Sequence, residues 1–110
     1  MTWTDMTTAL DEITAWYRGQ CDGDWEHHHG VSIQSTDNPG WWVKIDVRQT
    51  PLQGRPFPPV EQGVDARGLQ TGAHWISCRV KDDVWHGAGD EGRLEEILSR
   101  FIAWSRLESP

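Results

Sequence analysis

The run Trp41-Trp42-Val43-Lys44-Ile45-Asp46-Val47-Arg48 constrains the fold more than any other stretch of this 110-residue chain. Trp41, Val43, Ile45 and Val47 alternate with Trp42, Lys44, Asp46 and Arg48. A side-chain period of two belongs to a strand, not a helix. One apolar and one polar face further imply an antiparallel sheet covered on one side only. Asp37-Asn38-Pro39-Gly40 precedes the run. Pro followed by Gly is the signature of a type II turn, because proline presets φ and glycine accepts φ > 0. Residues 31–36 and 41–49 therefore read as a hairpin, with Val31 and Ile33 facing inward and Ser32 and Gln34 outward. Trp42 sits in the polar register. It is either exposed for contact or covered by another element, such as the long loop 50–72.

The remaining segments fit around that hairpin. Met6, Leu10, Ile13 and Tyr17 fall on one face of a helix over residues 4–19, with Thr4 or Asp5 as its cap and Gly19 as its stop. Residues 50–72 hold four prolines and four glycines. They read as loop, mobile from Gln62 onward, with a short edge strand near Phe57–Gln62, where proline is tolerated. Residues 73–81 alternate as a strand. A turn at Lys81-Asp82-Asp83 leads to a short strand, Val84-Trp85-His86, which Gly87 and Gly89 end. Asp90 can cap a last helix over 91–107, with Leu94, Ile97, Leu98, Phe101, Ile102 and Ser105 on its buried face. The order predicts a single α+β domain over residues 1–110: an N-terminal helix, an antiparallel sheet of three to five strands, and a C-terminal helix packed on the sheet.

Charge narrows the partners. With 17 acidic and 10 basic side chains the net charge is −7. Nucleic-acid binding needs a basic face, so it is not expected, and an acidic protein instead suits a basic partner. The distribution is uneven: residues 1–40 carry −6, residues 41–81 carry +3 and residues 82–110 carry −4. No segment has the roughly 18 apolar residues of a membrane span, and the N-terminus lacks a signal-peptide pattern. A cytoplasmic protein without membrane contact is expected. Cys21 and Cys78 lack disulfide-scaffold or metal spacing and read as inert thiols. Eight tryptophans exceed what a core of this size needs. Some should sit at a binding surface, with Trp3, Trp42 and Trp85 as the candidates.

The densest chemistry lies in Cys21-Asp22-Gly23-Asp24-Trp25-Glu26-His27-His28-His29-Gly30, between the first helix and the first strand. Carboxylates and imidazoles can ligate a metal, but the spacing matches neither a His-Glu-x-x-His helix nor a calcium loop. Paired carboxylates can also divide acid and base roles. No nucleophile elbow, phosphate loop or cofactor fingerprint accompanies them, so no catalytic residue and no cofactor is assigned. Recognition is the third reading: acids around an aromatic anchor orient a basic partner and speed its capture. Trp25 is then the anchor, or else a core residue beneath the first helix.

These residues carry a resemblance. Trp16-Tyr17, Gln20-Cys21-Asp22-Gly23-Asp24-Trp25-Glu26-His27, Gly30 and Thr36-Asp37-Asn38-Pro39-Gly40-Trp41 resemble the immunity protein 53 family of bacterial polymorphic-toxin systems. Trp75-Ile76-Ser77-Cys78-Arg79-Val80, Gly87-Ala88-Gly89-Asp90 and the segments of the closing helix resemble it too. The resemblance implies a non-enzymatic protein that binds and neutralises a cognate toxin domain, expected to be basic. Asp22, Asp24, Trp25, Glu26, His27 and Trp42 are the expected contact residues, occluding the toxin's active site or substrate cleft. The alternative function is a small metal-binding protein or hydrolase-like enzyme built on Asp22, Asp24, Glu26 and His27.

Overall fold

The computed structural model describes residues 8–67 and 69–107. Helix α1 (Ala9–Gln20) leads through the one-turn helix α2 (Trp25–His28) into strands β1 (Val31–Thr36) and β2 (Gly40–Asp46). The short β3 (Val60–Gln62) follows. Strands β4 (Ile76–Lys81) and β5 (Val84–Asp90) form a second hairpin, and α3 (Leu94–Ser105) closes the chain. The five strands make one antiparallel sheet in the order β1-β2-β5-β4-β3. This is the expected α+β architecture. No helix among the described residues is long and apolar enough to cross a membrane.

The alternation in β2 places Val43 and Ile45, with Val47 just beyond, in the core beside Ile76, Cys78 and Trp85. Strand β3 forms the edge expected near Phe57–Gln62, pairing Val60 with Cys78 and Gln62 with Ile76. The described residues after β3 are hydrogen-bonded to one another rather than running without pattern. Thr71 donates its N–H to the Gly63 carbonyl, and the Asp65 carboxylate accepts the N–H groups of Arg67 and Leu69.

Strand β5 corrects the sequence reading most. Gly87 and Gly89 lie within a seven-residue strand rather than ending a short one. A Cβ on Gly87 would stand 2.5 Å from Ile97 Cγ2 and 2.6 Å from the Trp85 ring; one on Gly89 would stand 2.8 Å from Arg93 Cβ. The glycines clear a floor on which α3 lies directly. Trp85, expected at the surface, is fully buried beside them, edge-on to Phe101 at 5.3 Å and Phe57 at 5.9 Å. Gly40 serves a similar end. It has already joined β2 opposite Thr36, and a side chain there would run into the Gly89 carbonyl. The type II turn is therefore not formed; residues 37–39 alone make the connection, with a cis Asn38–Pro39 peptide.

Both helices begin later than expected. Thr4, Asp5, Met6 and Trp3 lie outside the described residues. Thr8 caps α1 in a capping box: its hydroxyl accepts the Asp11 N–H, and the Asp11 carboxylate accepts the Thr8 N–H. The buried face of α1 is Ala9 and Ile13, flanked by half-buried Trp16, whereas Leu10 and Tyr17 are exposed. The reason is its neighbour. Trp16 packs edge-on against Phe101 at 4.9 Å, and Glu95 accepts the Ala9 N–H, so α1 turns toward α3. Leu10 and Tyr17 instead border a shallow apolar groove with Val31 and Ile33, which leaves Ile33 on edge strand β1 exposed. Asp90 does not cap α3. It ends β5, where its buried carboxylate accepts the N–H groups of Trp75 and Gly92 and the Arg93 guanidinium. The α3 face of Leu94, Ile97, Leu98, Phe101 and Ile102 turns inward as expected, joined by Trp104.

Gly87→Ala should destabilise the fold by about 1–3 kcal/mol, because the methyl overpacks against Ile97 and Trp85. Gly19→Ala, in open space on α1, should stabilise by about 0.5–1 kcal/mol. Denaturant midpoints of both variants check this, and a Gly87→Ala protein as stable as the parent would show that α3 does not need the bare floor.

Candidate functional site

The segment after α1 builds its own shape. Asp22 accepts the N–H groups of Asp24 and Trp25, both at 2.9 Å. Glu26 reaches back to accept those of Asp22 at 3.0 Å and Gly23 at 2.9 Å. Gly23 has φ +94°, which a side chain would strain. These bonds favour the charged carboxylates. The Trp25 and Asp24 amides hold Asp22 below its ordinary value, and Glu26 is lowered by its own backbone N–H together with those of Asp22 and Gly23.

Five of the six expected contact residues lie in this segment; Asp22, Asp24 and His27 are exposed and Glu26 is half-buried. Asp24 also stands 3.7 Å from His28 one turn on. Trp25 is only 3% exposed. Its ring meets Trp16 and Tyr17 edge-on, and its indole N–H donates to the Arg48 carbonyl at 2.9 Å. It supports the loop from beneath. Trp42 projects from the far side of the sheet, 38% exposed, and shares no surface with Trp25. The described part of loop 50–72 leaves it exposed and brings Arg67 to the same hollow. Among the described residues, no group of three or more His, Cys, Asp or Glu side chains could hold a metal ion. Asp22 and Glu26 are instead spent on the loop's own amides.

A second polar cluster ties this loop to the sheet. The carboxylate of Asp46, at the end of β2, meets His29 Nδ1 at 2.8 Å and the Arg48 guanidinium at 2.7 and 3.0 Å. Burial works against the charge, but the bonds from Arg48 and His29 outweigh it and bring Asp46 down to about 2. A carboxylate with that pKa is an acceptor, so His29 donates through Nδ1. Cys78 behaves oppositely: burial pushes its thiol up to about 12, leaving no reactive thiolate.

The uncovered face of the sheet carries residues that sequence reading did not assign to a site. Register sets Lys44 of β2, His86 of β5 and Arg79 of β4 side by side in one row. The adjacent row holds Gln34, Trp42, Ala88, Ser77 and Glu61. Trp42 stacks on His86 at 6.2 Å between ring centres, and the Lys44 ammonium sits 4.6 Å from the Trp42 ring. The available signals were the polar register of β2 and the +3 charge of residues 41–81. Neither says how β4 and β5 line up beside β2.

The profile of the immunity protein 53 family matches residues 10–106. The chain belongs to that family. No curated protein and no solved structure matches it. The match runs from the second residue of α1 past the end of α3, so it includes the acidic loop, the Asp46 cluster and the open sheet face. Membership supports an immunity function in general and implies a protein partner, the cognate toxin.

Asp46 links the loop to stability. Its pKa is depressed, so its contribution is complete above the ordinary value of 3.8 and is lost as pH falls through about 2. Asp46→Asn should cost about 2 kcal/mol at pH 7, and the deficit should shrink as pH falls from about 4 toward 2. Unfolding curves across that range measure it; a deficit independent of pH would assign the loss to packing instead.

Proposed function

We propose that this immunity protein neutralises its toxin by occlusion: it binds the toxin domain and blocks the active site or substrate cleft, with the acidic loop 22–27 leading the contact. The observation that carries this reading is the loop's preformed shape. Asp22 and Glu26 fix the backbone and stay ionised, and Asp22, Asp24 and His27 stand exposed above buried Trp25. A loop held by its own hydrogen bonds has little ordering entropy left to lose on binding. Its carboxylates complement a basic cleft of the kind that holds an anionic substrate, and such complementarity raises the association rate. Trp25 contributes by holding the loop in place, and Trp42 offers a separate aromatic contact on the other side of the sheet. The protein catalyses nothing in this scheme; it acts in the cytoplasm of the cell that makes the toxin.

Asp24 is the cleaner position for a test, since Glu26 also holds two backbone amides. Asp24→Lys should slow association with the toxin by roughly tenfold at low salt, with a weaker salt dependence and little change in the dissociation rate. Surface-binding kinetics at two ionic strengths read both rates. Unchanged association and an unchanged salt slope would remove the loop from the interface.

A further inference from the structure

The uncovered sheet face gathers positive charge. Register sets Lys44 and Arg79 on either side of His86, so two cations flank one imidazole on the same face. Lys81, two residues beyond Arg79, adds to the same field, and Arg67 reaches in from the loop after β3. Among the described residues, no carboxylate lies within 4.0 Å of Lys44, Arg79 or Lys81, although ion pairs of that kind hold Arg48, Arg93, Arg100 and Arg106 elsewhere. Glu61 lines the β3 side of the hollow, Asp82 stands at the β4–β5 turn, and Asp65 pairs loosely with Arg67 at 3.8 Å. His86 records the crowding: burial, then Arg79, Lys44 and Lys81, hold its imidazole below the ordinary 6.5. The hollow has a volume of about 430 Å³ and is lined by Trp42, His86, Arg79, Lys81, Arg67 and Glu61, with the Lys44 ammonium against the Trp42 ring.

We propose that this face, around Trp42, Lys44, His86 and Arg79, docks an acidic segment of the toxin chain. The inference rests on the reading that the partner is a toxin protein. Charge complementarity chooses the occupant. Lys44, Arg79 and Lys81, none ion-paired among the described residues, fit carboxylates flanked by an apolar side chain, with Trp42 supplying buried area and the cations orientation. An uncovered sheet face admits an extended segment lying across the strands. Docking there sets carboxylates beside Lys44, Arg79 and Lys81, which among the described residues have none within ion-pair distance.

The probe is a decaglutamate peptide titrated into the isotope-labelled protein, with the Trp42 indole N–H and the His86 ring as reporters. Saturable shifts at both are expected. Lys44→Glu with Arg79→Glu should weaken binding at least about tenfold, Lys44→Gln with Arg79→Gln should weaken it less, and Asp24→Lys should leave it unchanged. The glutamine pair keeps the test valid should charge reversal unfold the sheet. The proposal falls if no saturable shift occurs, if both double variants bind like the parent, or if decathymidylate takes the same face more tightly. Growth rescue separates this from the proposed function. If co-expression with the adjoining toxin genes gives no protection by the parent protein, the immunity reading fails, while the titration still decides the face. If parent and charge-reversed proteins protect equally, the toxin does not use the face.

Discussion

The fold depends on how closely α3 can approach β5. Gly87 and Gly89 remove the side chains that would hold the helix away, and Trp85 and Ile97 fill the space so opened. That contact fixes the height of α3 above the sheet. The height fixes where Phe101 meets Trp16, and so where α1 lies. Because α1 leans on α3, Trp25 finds its place under the end of α1, and the acidic loop is carried with it. A bare strand floor thus positions a surface loop far along the chain. Interiors packed at crystal-like density transmit such a constraint because they leave no slack to absorb it.

The tryptophans extend that constraint into the loops. Trp25 donates its indole N–H to the Arg48 carbonyl, Trp41 to Glu91 and Trp104 to Pro56. Each ring is anchored among the core elements while its one polar atom reaches a connecting segment, the amphipathic use to which tryptophan is suited. Proline removes a backbone donor and offers a carbonyl only, so the Pro56 region is tied down through an acceptor. These three tryptophans therefore serve a sheet with long connections rather than an aromatic binding surface. Trp42, whose neighbours are His86 and Lys44, stands apart from this pattern, and so do Trp75 and Trp85, whose buried indole N–H groups find no hydrogen-bond partner among the described residues.

What the sequence revealed followed periodicity, and what it hid followed tertiary contact. The period of two in Trp41–Val47 separated buried Val43 and Ile45 from exposed Trp42 and half-buried Lys44, but Asp46 of the polar register is buried at the end of β2 by His29 and Arg48. The same logic identified β4 and the inner face of α3. Gly87 and Gly89 misled because glycine marks both a turn and a close backbone approach, and only the helix above decides between them. Reading β5 as short then sent Asp90 to a helix cap, and Trp85, a surface candidate in the sequence, proved to be core. The α1 stripe was misplaced by one position for a related reason: the apolar period is visible locally, but the partner that selects its face is α3, more than seventy residues away. The acidic loop was legible as a charge cluster. That Asp22 and Glu26 serve backbone amides, while Asp24 stays freer, depends on the left-handed turn at Gly23.

Charge makes the last connection between sequence and surface. The chain alternates acidic, basic and acidic along its length, and folding converts that order into separate territories. The first segment supplies the loop at Asp22 and Asp24, and the middle one supplies Lys44, Arg79 and Lys81 on the open sheet. A molecule of net charge −7 therefore presents a cationic face that its total charge conceals. A uniformly basic partner would be attracted by the loop and repelled by the sheet. A partner that covers both must itself be polar in its charge, basic where it meets the loop and acidic where it meets Trp42. Such a match fixes orientation as well as encounter rate, because turning the partner around sets like charges against each other at both ends.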